Sequence, residues 1–164
     1  MNKIYSREKL KDKIDGLREK GKKIVFTNGC FDILHVGHTR YLKEAKKQGD
    51  ILVLGLNSDE SVRSLKGEKR PLTPENERAD VIASLESVDY VTIFHELTPF
   101  ELIEYLKPDV LVKGGDWEEK DVVGRKSVET WGGKVVIIPE IKGASTTNII
   151  EKVKKAYCQP LPKA

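Results

Sequence analysis

Five short runs of apolar, β-prone residues, each separated from the next by a helical pattern, constrain this chain more than any other feature. They are Ile24-Val25-Phe26-Thr27, Ile51-Leu52-Val53-Leu54-Gly55-Leu56, Tyr90-Val91-Thr92-Ile93-Phe94, Val110-Leu111-Val112 and Val135-Val136-Ile137-Ile138. Near-continuous apolar runs belong to strands buried on both faces. Helices between such strands must return the chain to the same end of the sheet, which specifies a parallel sheet covered on both sides. Right-handed crossovers then make the fold doubly wound. The expected fold is therefore α/β, a Rossmann-like parallel sheet of about five strands. Ligands in such sheets bind beyond the carboxyl ends of the strands, where strand order reverses.

The helical segments carry recognisable boundaries. Leu10, Ile14 and Leu17 recur at helical spacing after Ser6, a plausible N-cap, so a helix over 6–20 ending at Gly21 is expected. Others are expected near 38–48, from Asp59, from Thr73-Pro74 with Val81, Ile82 and Leu85 as its apolar face, and from Thr98 to near Pro108. Pro74 is placed at the first helical position and Thr98-Pro99-Phe100-Glu101 reads as a capping box. A final helix carries Ile149, Ile150, Val153 and Tyr157, a Lys-rich loop runs over 66–70, and the tail from Gln159 is expected to fray.

The 164 residues suit one domain spanning 1–164. With 29 basic and 26 acidic residues the net charge is only +3, too weak a bias for a dedicated nucleic-acid binder. Runs such as Lys43, Lys46 and Lys47 read as a solvated helix face. The two cysteines, Cys30 and Cys158, form no C-x-x-C pair, so neither a disulfide framework nor a zinc ribbon is indicated. No stretch approaches the ~18 apolar residues of a membrane span, and the amino terminus lacks the apolar run of a signal peptide. A cytoplasmic location is expected, with no membrane partner.

Chemistry concentrates just after the first strand, in Gly29-Cys30-Phe31-Asp32-Ile33-Leu34-His35-Val36-Gly37-His38. Two of the three histidines stand here, three residues apart with a glycine between them. If His38 opens the next helix, both imidazoles and the first backbone N–H groups can point at one anion, helped by the positive end of the helix dipole. Gly37 removes a side chain that would obstruct close approach. A lone histidine is ordinarily structural, and two histidines alone do not make a zinc site. The pairing at a strand end points to a triphosphate instead. His95 is isolated and is read as a surface residue.

His35-Val36-Gly37-His38 resembles the H-x-G-H signature of the nucleotidyltransferase superfamily, and Gly143-Ala144-Ser145-Thr146-Thr147 stands where that superfamily carries its second signature. On their own, a Ser and Thr before an apolar helix are N-caps. Beside two histidines at the same sheet end, Ser145, Thr146 and Thr147 become candidates for the β- and γ-phosphates. Thr27-Asn28-Gly29-Cys30-Phe31-Asp32, Leu85-Glu86-Ser87-Val88-Asp89-Tyr90 and Val112-Lys113-Gly114-Gly115-Asp116 resemble in particular the adenylyltransferase domain of bacterial heptose bifunctional enzymes. The resemblance runs from Ile24 to Val153. It implies transfer of AMP from ATP, with Mg²⁺, to D-glycero-β-D-manno-heptose 1-phosphate, a step toward the lipopolysaccharide core. It also implies a monofunctional form without a fused sugar kinase, and a homodimer.

The resemblance further implies site roles. His35 and His38 would act on the α-phosphate, with Lys66, Lys69 and Arg70 closing from the loop. Cys30, Phe31, Gly37 and Arg78 would contact the nucleotide, Asp32 the substrate or a metal-bound water, Lys113 the sugar phosphate and Asp116 a ribose or sugar hydroxyl. Departures exist: Cys30 replaces a Thr common in the superfamily, Glu140 stands where glycerol-phosphate cytidylyltransferases carry Arg, and Asn148, Ile149 and Ile150 offer no phosphopantetheine-type Arg. A glycerol-3-phosphate cytidylyltransferase, a non-catalytic nucleotide sensor and a tRNA synthetase fragment are the alternatives.

Overall fold

The computed structural model describes residues 2–115, 118–139 and 143–157. Asp116, Glu140, Cys158 and the tail from Gln159 therefore lie outside the described residues. The chain runs α1 (Arg7–Arg18), β1 (Ile24–Gly29), α2 (Val36–Lys46), β2 (Ile51–Asn57), α3 (Asp59–Lys66), α4 (Glu75–Ala83) and β3 (Tyr90–Phe94). It continues through α5 (Phe100–Leu106), β4 (Val110–Gly114), a 3-10 turn (Glu119–Asp121), α6 (Arg125–Thr130), β5 (Lys134–Ile138) and α7 (Thr146–Tyr157).

All five apolar runs are strands, and they form one parallel sheet in the order β3-β2-β1-β4-β5. Alternation along each strand sends side chains to opposite faces. In β1, Ile24 and Phe26 pack with Leu10 and Ile14 of α1 and Leu102, Ile103 and Leu106 of α5. Val25 packs on the other side with Leu42 and Ala45 of α2 and Ala79 and Ile82 of α4. The result is two apolar layers with the sheet between them.

Strand order reverses between β1 and β4, which pair through Val25↔Val110 and Phe26↔Leu111. This is the crevice where a doubly wound fold binds its ligand. The carboxyl end of β1 delivers Asn28 and Gly29 there, and that of β4 delivers Lys113 and Gly114.

Several local expectations are corrected. Helix α2 starts at Val36 with His35 as its N-cap, so His38 lies within the first turn rather than opening the helix. Pro74 and Pro99 are N-cap residues without side-chain caps, so no capping box forms at Thr98, because the helix begins at Phe100. Val81 is 47% exposed, and the buried positions of α4 are Arg78, Ala79 and Ile82. Helix α1 does use Ser6, whose hydroxyl accepts from Lys9 N–H, but it stops at Arg18. Lys66 ends α3 instead of opening a loop. His95 is exposed, as expected.

Candidate active site

One cavity of about 740 Å³ opens at the β1–β4 reversal. Its walls come from the β1–α2 connection, the first turns of α2 and α7, the end of α3, and the ends of β4 and β5. Of the residues singled out from the sequence, Cys30, Phe31, Asp32, His35, Gly37, His38, Lys66, Lys113, Ser145, Thr146 and Thr147 all line it.

The imidazoles of His35 and His38 stack with ring centroids 3.7 Å apart and 21° between planes. Phe31 supports them from below, its ring 4.9 Å from that of His38. Phe31 adopts φ +44°, a left-handed conformation that costs a bulky residue energy and recurs at functional sites. That turn folds its ring back over Gly29, where a Cβ would come within 2.8 Å of it. Burial first, and the neighbouring His35 second, hold the His38 imidazole down to about 4, so it is neutral at pH 7. Its Nδ1 is buried and has no hydrogen-bond partner among the described residues.

Two helix N-termini meet beside this pair. Thr146 Oγ1 donates to Ile33 C=O at 3.3 Å, and Ser145 Oγ accepts from Asn148 N–H at 3.1 Å as the cap of α7. Gly37 makes the approach possible. A Cβ there would lie 2.9 Å from the His35 ring and 3.2 Å from the Ala144 Cβ. Glycine at 37 thus protects the position of the His35 ring and the close approach of Ala144.

Across the crevice, Lys113 Nζ donates to Asn28 Oδ1 at 3.2 Å. Burial, and to a smaller degree Lys66, lower the Lys113 ammonium below its ordinary value, with Cys30 opposing them. Beneath it, Tyr41 bonds the Thr27 hydroxyl at 2.6 Å and donates to Val112 C=O at 3.2 Å. Burial drives the Cys30 thiol up despite Lys66, Arg78 and Arg70 nearby, so the thiol is protonated at neutral pH and is no activated nucleophile. Among the described residues no group of three or more His, Cys, Asp or Glu side chains could hold a metal ion.

Arg78 stands apart from the cavity, against expectation. It is 1% exposed, and its guanidinium donates to Thr73 C=O at 2.9 Å, Cys30 C=O at 2.5 Å, Asn57 C=O at 2.9 Å and Asp59 Oδ1 at 2.7 Å. A planar fork with five donors suits such a junction. Arg78→Ala is expected to destabilise the fold by about 3–5 kcal/mol, because three carbonyls, that of Asn57 buried, and a carboxylate lose their donor. Urea denaturation measures this, and Arg78→Lys should recover little, since an ammonium cannot span four acceptors. Full stability in both variants would return Arg78 to the ligand. Three residues that sequence reasoning passed over, Asn28, Arg40 and Tyr41, also line the cavity. Asn28 closes the first strand and was legible by position, whereas Arg40 and Tyr41 read only as helix.

A family model described as cytidylyltransferase-like matches residues 26–152. The chain belongs to the cytidylyltransferase-like family. This agrees with the resemblance read from the two signatures. The bifunctional protein HldE of Geobacter metallireducens is 59% identical over 155 residues, covering 94% of this chain and 32% of that protein. HldE of Aliarcobacter butzleri is 56% identical over 148 residues, covering 90% of this chain and 30% of that protein. The chain thus spans about a third of the curated relatives it matches. A crystal structure of a lipopolysaccharide core biosynthesis protein from Thermoplasma volcanium superposes with TM-score 0.63 at 34% identity, over 76% of this chain and all of that one. No helix among the described residues is long and apolar enough to cross a membrane.

Proposed function

We propose that this cytidylyltransferase-like chain is an adenylyltransferase. In this reading it joins AMP from ATP to D-glycero-β-D-manno-heptose 1-phosphate, giving ADP-heptose and pyrophosphate for lipopolysaccharide core synthesis in the cytoplasm. The observation that carries it is the stacked His35–His38 pair at the N-terminus of α2, beside the N-terminus of α7, in the cavity at the sheet's reversal point. High identity to HldE proteins supports the same direction.

The acceptor's phosphate oxygen is already a nucleophile, so in-line attack on the α-phosphorus needs positioning and charge neutralisation rather than a covalent intermediate. The new P–O bond forms as the bond to the bridging oxygen breaks, and pyrophosphate leaves with that electron pair. His35 and His38 donate to the α-phosphate and the bridging oxygen, where charge grows. The first N–H groups of α2 and α7, with Ser145, Thr146 and Thr147, take the β- and γ-phosphates. Lys66 and Arg70 face the same cavity and offset the triphosphate's charge, and Lys113 serves the acceptor. Mg²⁺ entering with ATP would supply charge neutralisation at the triphosphate and would need no cage of protein carboxylates. That fits a site whose one carboxylate in the β1–α2 connection, Asp32, already has both oxygens hydrogen-bonded.

A homodimer belongs to the same reading. Helix α7 exposes Val153 at 51% and Tyr157 at 84%, apolar surface that a second copy would cover. ATP is expected to exceed CTP in kcat/KM by at least about tenfold, a margin worth ~1.4 kcal/mol in the transition state. Pyrophosphate release with each nucleoside triphosphate and the heptose 1-phosphate tests this. Equal or better use of CTP would move the chain to the cytidylyltransferase branch, and no release with any pair would favour a nucleotide sensor.

A further inference from the structure

Asp32 does not present its carboxylate to the cavity. Its side chain is fully buried, and every polar contact it makes is to one distant segment. Arg70 Nε donates to Oδ2 at 2.5 Å, Leu72 N–H to Oδ1 at 2.8 Å and to Oδ2 at 3.0 Å, and Thr73 N–H to Oδ1 at 2.9 Å. A carboxylate offers about four lone-pair sites, and all are used. Burial alone would raise its pKa, yet the two backbone N–H groups and Arg70 outweigh it and leave the group ionised. The far end of the segment is sewn to the same turn from the other side. Arg78 bridges Thr73 C=O and Cys30 C=O, two residues before Asp32.

We propose that Asp32 is a positioning residue, a latch that fixes residues 70–73 against the β1–α2 turn so that Arg70 and Lys66 stay over the phosphate-binding cavity. Residues 67–73 lie between α3 and α4 and have no regular structure of their own. Lys66 to Lys69 are exposed. Without the latch, ordering these cations would cost free energy in every catalytic cycle, and fixing them beforehand removes that cost. A bare carboxylate beside a triphosphate would repel it, and the two backbone N–H groups together with Arg70 reduce that repulsion. The latch thus explains why an acid is compatible with this position.

The test substitutes Asp32→Asn in the whole chain and reads two quantities. Hydrogen exchange at Leu72 and Thr73 should quicken by at least about tenfold while amides of β1 and β4 stay as protected as before, the signature of local rather than global opening. Turnover measured by pyrophosphate release, which rests on the transferase reading, should fall by about 10²-fold, the effect expected of misplaced catalytic cations. The KM for the acceptor should stay within about threefold, because uniform acceptor binding is untouched. Lost turnover with unchanged exchange would mean that the carboxylate acts on substrate, and quickened exchange with full turnover would mean that the latch positions nothing. Either overturns the proposal. Should Asp32→Asn fail to fold, Thr73→Pro removes one donor, leaves the carboxylate intact, and is scored by exchange at Leu72 together with the same turnover measurement. If the wild-type chain releases no pyrophosphate, the transferase reading alone fails. Exchange at Leu72 and Thr73 together with ATP affinity by titration calorimetry then decide the latch, which predicts that both change.

Discussion

Replacing either His35 or His38 with alanine is expected to lower kcat by at least about 10²-fold while the chain still folds, because each change removes a donor aimed at charge that develops in the transition state. Neither ring belongs to the two buried apolar layers, which supports an intact fold. The KM for ATP should move less than kcat, since the donors matter most once the bridging oxygen takes up charge. His38 adds a pH signature. Its imidazole titrates near 4 in the native chain against an ordinary value of 6.5, so between these values the unfolded chain holds a proton that the native chain does not. Stability therefore rises with pH across that window and levels off above it. Urea denaturation at about pH 4.5 and pH 7.5 should show this slope in the wild type and a flatter one in His38→Gln. Unchanged kcat in both alanine variants would sink the assignment, and a slope that persists in His38→Gln would move the titration to another group.

What the sequence made legible follows from the range of each interaction. The strands could be read because burial on both faces demands apolar residues in unbroken runs, and that pattern is local. The histidine pair was legible because its spacing and its place at a strand end are local as well. Arg78 was not. Its position on α4 says nothing about the carbonyls of Cys30 and Asn57, 48 and 21 residues away, which determine its role. The hydrogen bonds of Asp32 are not legible either, for the same reason, since its partners lie 38 to 41 residues downstream. Helix α6 went unnoticed because six residues with one buried side chain, Val128, carry no periodicity. The apolar face of α7 was seen as a helix stripe, yet none of its residues is buried in the single chain. Periodicity reports that a face is apolar and leaves open what covers it.

Acceptor choice should show the largest discrimination. A site whose buried polar groups are built around a ligand's phosphate and hydroxyls rejects analogues lacking them by as much as ~10⁴-fold, because its own groups are then left unpaired. Lys113 is the best-defined such group. Its ammonium donates to Asn28 Oδ1, and burial lowers its pKa below the ordinary value. It lines the same cavity as the two histidines, where a phosphate of the acceptor can reach it. Next to it, Gly114 packs directly on the Tyr41 ring, where even a Cβ would approach to 3.0 Å, so glycine lets the end of β4 lie close against α2. Heptose 1-phosphate should accordingly be used with kcat/KM far above that for glycerol 3-phosphate, phosphoethanolamine or phosphopantetheine, up to the ~10⁴-fold bound. Lys113→Met keeps the aliphatic stem and removes the charge. It should lower kcat/KM for the heptose 1-phosphate by about 10²-fold or more while ATP affinity changes little, since truncating one partner of a buried charge pair costs about 2–5 kcal/mol. Steady-state kinetics with varied acceptor at saturating ATP measure both effects. An unaltered acceptor KM and kcat in Lys113→Met would remove Lys113 from the acceptor site. Efficient reaction of glycerol 3-phosphate with none on the heptose would change the acceptor and leave the histidine chemistry at α2 as argued.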